Sequence, residues 1–101
     1  MGAAPVMPNA SMVTGTVQTL KHEDQRPVLE LLVQRADDVP DLANFVAEEI
    51  GNTIPIKINR HDQSKALPTP ETHVRLRVEF RGDEWGGGYY ANAEDVEAVS
   101  D

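Results

Sequence analysis

Apolar and polar residues alternate with a period of two along much of the chain. In Ser11 to Leu20, Val13, Gly15 and Val17 share one side; Thr14, Thr16 and Gln18 take the other. Such alternation with β-branched residues predicts a strand, and Gly15 inside it predicts a bulge or sharp bend. Lys21 to Arg26 is a polar turn, and Pro27 opens a second strand in which Leu29, Leu31 and Val33 form one face. The two runs predict a hairpin. Ile54, Ile56 and Ile58 alternate with Pro55, Lys57 and Asn59, a third strand with an edge or bulge at Pro55, which has no amide proton to donate. The clearest alternation runs from His73 to Arg81. Val74, Leu76, Val78 and Phe80 point one way; Arg75, Arg77, Glu79 and Arg81 point the other.

Two stretches break this rhythm. Asp37 and Asp38 end the second strand pattern, and Leu42, Phe45, Val46 and Ile50 then recur at helical spacing. With Asp41 as N-cap and Gly51-Asn52 as stop signal, they predict a helix of about three turns packed on a sheet. Gly82 to Gly88 reads as a turn-rich loop carrying Trp85, after which Tyr89-Tyr90-Ala91 begins a last strand. Arg60 to Thr72 is a polar connection. The order is β-β-α-β-β-β: a mainly β protein, a small closed five-stranded barrel with one short helix.

Length and composition agree with this reading. A chain of 101 residues is one domain by default, and 40% hydrophobic with 26% charged residues fits a globular protein. Met1 to Ser11, with Pro5 and Pro8, reads as an extended, flexible arm (residues 1–11) preceding a barrel domain at 12–99 and an end at 100–101. That arm lacks the features of a signal peptide, and no run reaches the roughly 18 apolar residues of a membrane span. A cytoplasmic protein is the expectation. With no cysteine, disulfides, thiolate metal sites and cysteine nucleophiles are excluded.

The formal net charge of −8 argues against a general polyanion binder until it is divided along the chain. Ile54 to Arg81 holds Lys57, Arg60, Lys65, Arg75, Arg77 and Arg81 against Asp62, Glu71 and Glu79, and nets +3; the rest nets −11. Arg75, Arg77 and Arg81 share one strand face, Lys57 and Asn59 join it if the third strand lies nearby, and Trp85, Tyr89 and Tyr90 follow within ten residues. Cations for phosphates and rings for bases are what single-stranded nucleic acid requires. The same arginines also fit an ordinary solvated face or cross-strand pairing with acids, and one of the three aromatics fits the core.

Other chemistry is poorly supplied. Asp37, Asp38 and Asp41 lack the glycine and distal glutamate of a calcium loop. His22, His61 and His73 show no metal-ligand spacing. The serines lack a nucleophile-elbow context, and the triple glycine lacks the Lys-Ser/Thr of a phosphate loop. No cofactor, no metal and no enzymatic activity are expected.

The runs V-T-G-T-V at 13–17, I-P-I-K-I at 54–58, V-R-L-R-V-E-F at 74–80 and Y-Y-A-N-A-E-D-V-E-A-V at 89–99 resemble an oligonucleotide/oligosaccharide-binding (OB) fold, most closely the bacterial single-stranded DNA-binding and primosomal barrels. The resemblance covers roughly residues 12 to 99 and rests on pattern, since the fold has no invariant motif. It departs from that family in placing its helix signal between strands two and three rather than three and four; small SH3-like barrels share the strand count. The local charge excess and its neighbouring aromatics point, in line with this resemblance, to binding of single-stranded DNA or RNA by Lys57, Arg60, Arg75, Arg77 and Arg81, with Trp85, Tyr89 and Tyr90 stacking on bases. The resemblance implies that the loop bearing Trp85 contacts ligand, although Trp85 equally suits a cap on the barrel. The competing reading is a protein-interaction module. In it the acidic Asp37, Asp38, Glu48 and Glu49 meet a basic partner, or a strand edge near Pro55 pairs with another chain or a second copy.

Overall fold

The computed structural model describes residues 7–60, 66–83 and 86–99. Its strands are β1 (Ser11–Glu23), β2 (Arg26–Asp38), β3 (Thr53–Asn59), β4 (His73–Asp83), β5 (Gly86–Asn92) and the two-residue β6 (Glu97–Ala98). The protein is mainly β. Five strands close in the order β1-β2-β3-β5-β4, with β4 returning to β1, and β6 adds a short pairing to β4. Among the described strands the pairings are antiparallel except β3 with β5, which runs parallel from Ile56↔Tyr89 to Asn59↔Asn92. Among the described residues no helix is long and apolar enough to cross a membrane.

The period-two pattern sets the inside of the barrel. Val13, Val17, Leu29, Leu31, Val33, Ile54, Ile56, Ile58, Val74, Leu76 and Val78 are all buried in one cluster. Full burial of such a side chain is worth about 1.5–3 kcal/mol relative to exposure, so these eleven residues dominate what holds the strands together. Closure requires the long β1–β2 hairpin to coil, and two register shifts do this, at Thr14/Gly15 and at Val17/Thr19. Gly15 is where the backbones crowd: a Cβ there would run into the Leu32 carbonyl oxygen. The hairpin turns through Asp24 and Gln25, both at positive φ (51° and 67°), between the paired Glu23 and Arg26. A two-residue turn of this hand matches the twist of its strands.

Pro55 pairs with Glu30 of β2, while pairing to β5 starts only at Ile56. The missing donor thus sits where β3 has a neighbour on one side alone, as its chemistry demands.

Three sequence expectations are corrected. The first concerns the helix over Asp41 to Ile50, which reduces to a single 3₁₀ turn, Val46–Glu49. An N-cap needs extended backbone, but Asp41 stands at φ 66°. Asn44 then competes for the local backbone. Its amide donates to the Ala36 carbonyl (3.1 Å) and to Asp38 (2.9 Å), and its oxygen accepts from the Ala47 amide (3.0 Å) and the Ser11 hydroxyl. Val46 still enters the core, whereas Ile50 is exposed. The second correction extends β2 through Asp37 and Asp38, which pair with Met12 and Ser11, and places Gly82 and Gly86–Gly88 in strands rather than in a loop. Glycine is required at Gly87, where φ is 151° and a Cβ would lie 2.6 Å from the Phe80 ring. The third concerns the N-terminal arm, whose last residues belong to the barrel. Ala10 is buried, its amide donates to the Ala43 carbonyl, and Asn9 bridges to Ala43. The Asn9 side chain accepts from the Phe80 amide (2.6 Å) and donates to the Phe80 carbonyl (2.9 Å). It satisfies the β4 edge where pairing to β1 has ended.

Candidate nucleic-acid interface

The outward positions of β4 carry Arg75, Arg77, Glu79 and Arg81. Their cross-strand partners decide what surface they join. Arg75 and Arg77 face Thr14 and Met12 of β1. Glu79 and Arg81 face Tyr90 and Gly88 of β5. Lys57, on β3, is opposite Tyr90 on one side and Val28 on the other. The phenol of Tyr90 therefore stands on the outer surface between β4 and β3.

Three cations from three elements converge on that ring. The guanidinium carbon of Arg81 lies 5.0 Å from its centroid, the ammonium of Lys57 5.3 Å and the guanidinium carbon of Arg26 5.9 Å. Each is within reach of the ring quadrupole. Lys57 also donates to the Tyr90 hydroxyl at 3.5 Å, which puts its charge toward the rim of the ring. Gly88 beside them has no side chain; a Cβ there would touch Lys57 Nζ and the Tyr90 ring at 3.9 and 4.0 Å. The bare backbone leaves room there for the Lys57 ammonium beside the phenol.

Acids temper the cluster. Glu79 accepts from Arg81 Nε at 2.6 Å and pairs with its second nitrogen. Glu30 lies 3.6 Å from Lys21. Glu23 and Asp24 share a cavity of about 320 Å³ with Arg26, Val28 and Lys57. On its other side Arg26 borders a cleft of about 420 Å³ floored by Pro27 and Ile58 and edged by His22, Gln25, Asn59 and Arg60. Among the described residues no carboxylate lines this second cleft.

The residues singled out by sequence separate into groups. Lys57, Arg81 and Tyr90 meet, with Arg77 beside them in a small cavity shared with Arg81 and Tyr90. Arg75 lies further along the same strand face, opposite Glu97 of β6. Arg60 and Asn59 line the neighbouring cleft. Tyr89 does not belong to this surface. It pairs with Phe80 and Ile56, faces inward, and packs against the core. Trp85 lies outside the described residues. Arg26 was missed because it reads as turn. Its signal is the hairpin itself: period two puts Arg26 on the face of Val28, and Val28 is opposite Lys57.

Compared with known protein families, with curated proteins and with solved structures, the chain has no match.

Proposed function

We propose that the protein is an OB-type barrel that binds single-stranded DNA or RNA without strong sequence preference. The observation that carries this reading is the convergence of Arg26, Lys57 and Arg81 on the Tyr90 ring at the outer surface. A base stacks on the phenol, and the cations around it meet the flanking phosphates. Architecture supports the assignment. Oligonucleotides bind OB barrels on the β2–β3 face and at the β1–β2 and β4–β5 loops. Here Arg26 leaves the β1–β2 turn, Lys57 stands on β3, and Arg81 precedes the β4–β5 connection. Arg77 and Arg75 extend the basic track along β4, and the cleft at Arg60 extends it past the hairpin. The mixture of cations with Glu23, Asp24 and Glu79 favours modest affinity confined to this face.

The test is a fluorescence-anisotropy titration with labelled oligo-dT at several salt concentrations. Binding is expected at low salt, with log K falling against log salt at a slope of about −2, because each phosphate neutralised on a single strand contributes roughly −0.7. Absence of binding at low salt overturns the proposal. A slope near zero overturns the phosphate contacts.

A further inference from the structure

The inward neighbour of Tyr90 belongs to a different site. Phe45, Phe80 and Tyr89 form a row of rings, with centroids 6.1 Å apart for Phe45–Phe80 and 5.5 Å for Phe80–Tyr89. Both ring pairs meet edge to face at 73°. The three rings and Glu48 line an open cavity of about 230 Å³. Glu49 stands next to it, accepting from the Tyr89 hydroxyl at 3.3 Å. Among the described residues no basic side chain lines the cavity. All three rings are only partly buried, so the space is open to solvent.

Aromatic rings lining a small recess, with carboxylates at its rim, favour a ligand that is both apolar and positively charged. The negative faces of the rings attract a positive charge, and the apolar walls favour one that is weakly hydrated. Quaternary and methylated ammonium groups have both properties. The volume lies below the roughly 300–1,000 Å³ of pockets for drug-sized ligands, which suits a single head group. We propose that this cavity is a binding site for an alkylammonium cation, held by Phe45, Phe80 and Tyr89 with Glu48 and Glu49 supplying negative charge. The burial of Tyr89 and its two glutamates holds its phenol in the protonated state above the usual range, in keeping with a negative, partly dry environment. The site does not rest on the nucleic-acid reading, because Tyr90 is on the other side of β5.

The fold builds the cavity from distant segments. Gly87 admits the Phe80 ring, Asn9 fixes the Phe80 backbone, and the irregular segment before β3 delivers Phe45, Glu48 and Glu49.

The experiment titrates the protein with choline and with its neutral isostere 3,3-dimethylbutan-1-ol at constant ionic strength. Aromatic carbon–proton NMR signals of Phe45, Phe80 and Tyr89 are followed. Choline is expected to shift these signals and to bind about tenfold more tightly than the alcohol, the size of a partly desolvated cation–π interaction. Glu48→Gln, at an exposed position, is expected to weaken choline by about threefold and leave the alcohol unchanged. Equal affinity for the two ligands overturns the cation site, as does the absence of shifts at these rings. A short peptide carrying trimethyllysine is titrated in parallel. Tighter binding than choline assigns the cation to a side chain of a partner, and equal binding assigns it to a free small molecule; failure of both overturns the proposal.

Discussion

Tyr89 and Tyr90 are adjacent in sequence and opposite in surroundings. Tyr90 is ringed by Arg26, Lys57 and Arg81. Tyr89 sits among Phe45, Phe80 and two glutamates. One step along a strand reverses the side of the sheet, so one residue of displacement changes the field from positive to negative. A protein of net charge −8 thereby keeps a basic surface and an acidic aromatic cavity within a single strand pairing. The lesson is that charge per residue matters less here than which side of β5 a side chain occupies.

The difference depends on a shared scaffold, and the largest expected effect comes from damaging it. Ile56 is fully buried and pairs with Tyr89. Ile56→Ala is expected to cost roughly 2–5 kcal/mol of stability, read from chemical denaturation, and to reduce binding at both surfaces only as far as the fold is lost. A variant that remains fully folded yet loses one binding function alone would break the idea of a common support.

Tyr90→Ala separates the two surfaces. It is expected to weaken oligonucleotide binding by about tenfold or more, the worth of one stacked base, and to leave choline binding unchanged. Loss of both in a folded variant would contradict the division at β5.

The smallest effect is a titration. The phenol of Tyr89 lies above its usual value near 10, first because burial disfavours phenolate, then because of Glu49 and Glu48. The folded state thus holds this proton more tightly than the unfolded chain. Its contribution to stability is complete below pH of about 10 and is lost as pH rises through the higher folded value. With Tyr90→Phe, Tyr89 is the one remaining tyrosine, and phenolate absorbance reports it alone. Adding Glu49→Gln is expected to lower that pKa while leaving it above the usual value, since burial, the largest cause, stays in place. No change on removing Glu49 would show that the carboxylate does not face the ring.

Alternation made much of the fold legible. The strand cores from Val13 to Val78 follow period two except at the start of β2, where Pro27, Val28 and Leu29 are buried in succession, and the bulge at Gly15 and the edge at Pro55 follow from a missing side chain and a missing amide proton. The helix between Asp41 and Ile50 was misread because helical spacing of apolar residues cannot register that Asn44 bonds to Ala36, Asp38, Ala47 and Ser11. The glycines near Trp85 read as loop, yet Gly87 pairs with Gly82 in a strand, and it is glycine there because a Cβ would run into the Phe80 ring. Of the proposed interface, Lys57, Arg77, Arg81 and Tyr90 were visible as a local charge excess with a neighbouring ring. Arg26 was not, because its membership depends on the pairing of β2 with β3.

By itself the sequence determined which side chains face inward along β1, β3 and β4 and most of β2, since that follows from backbone geometry between neighbouring residues; in β5 it did not separate Tyr89 from Tyr90. It also determined that positive charge concentrates between Ile54 and Arg81. Tertiary structure decided which strands are neighbours, above all the parallel pairing of β3 with β5 that brings Lys57 to Tyr90. It also decided that Phe45, 44 residues from Tyr89 in the chain, shares a cavity with it. Such contacts arise from barrel closure, which minimises exposed apolar surface over the whole chain, and no local pattern of residues encodes them.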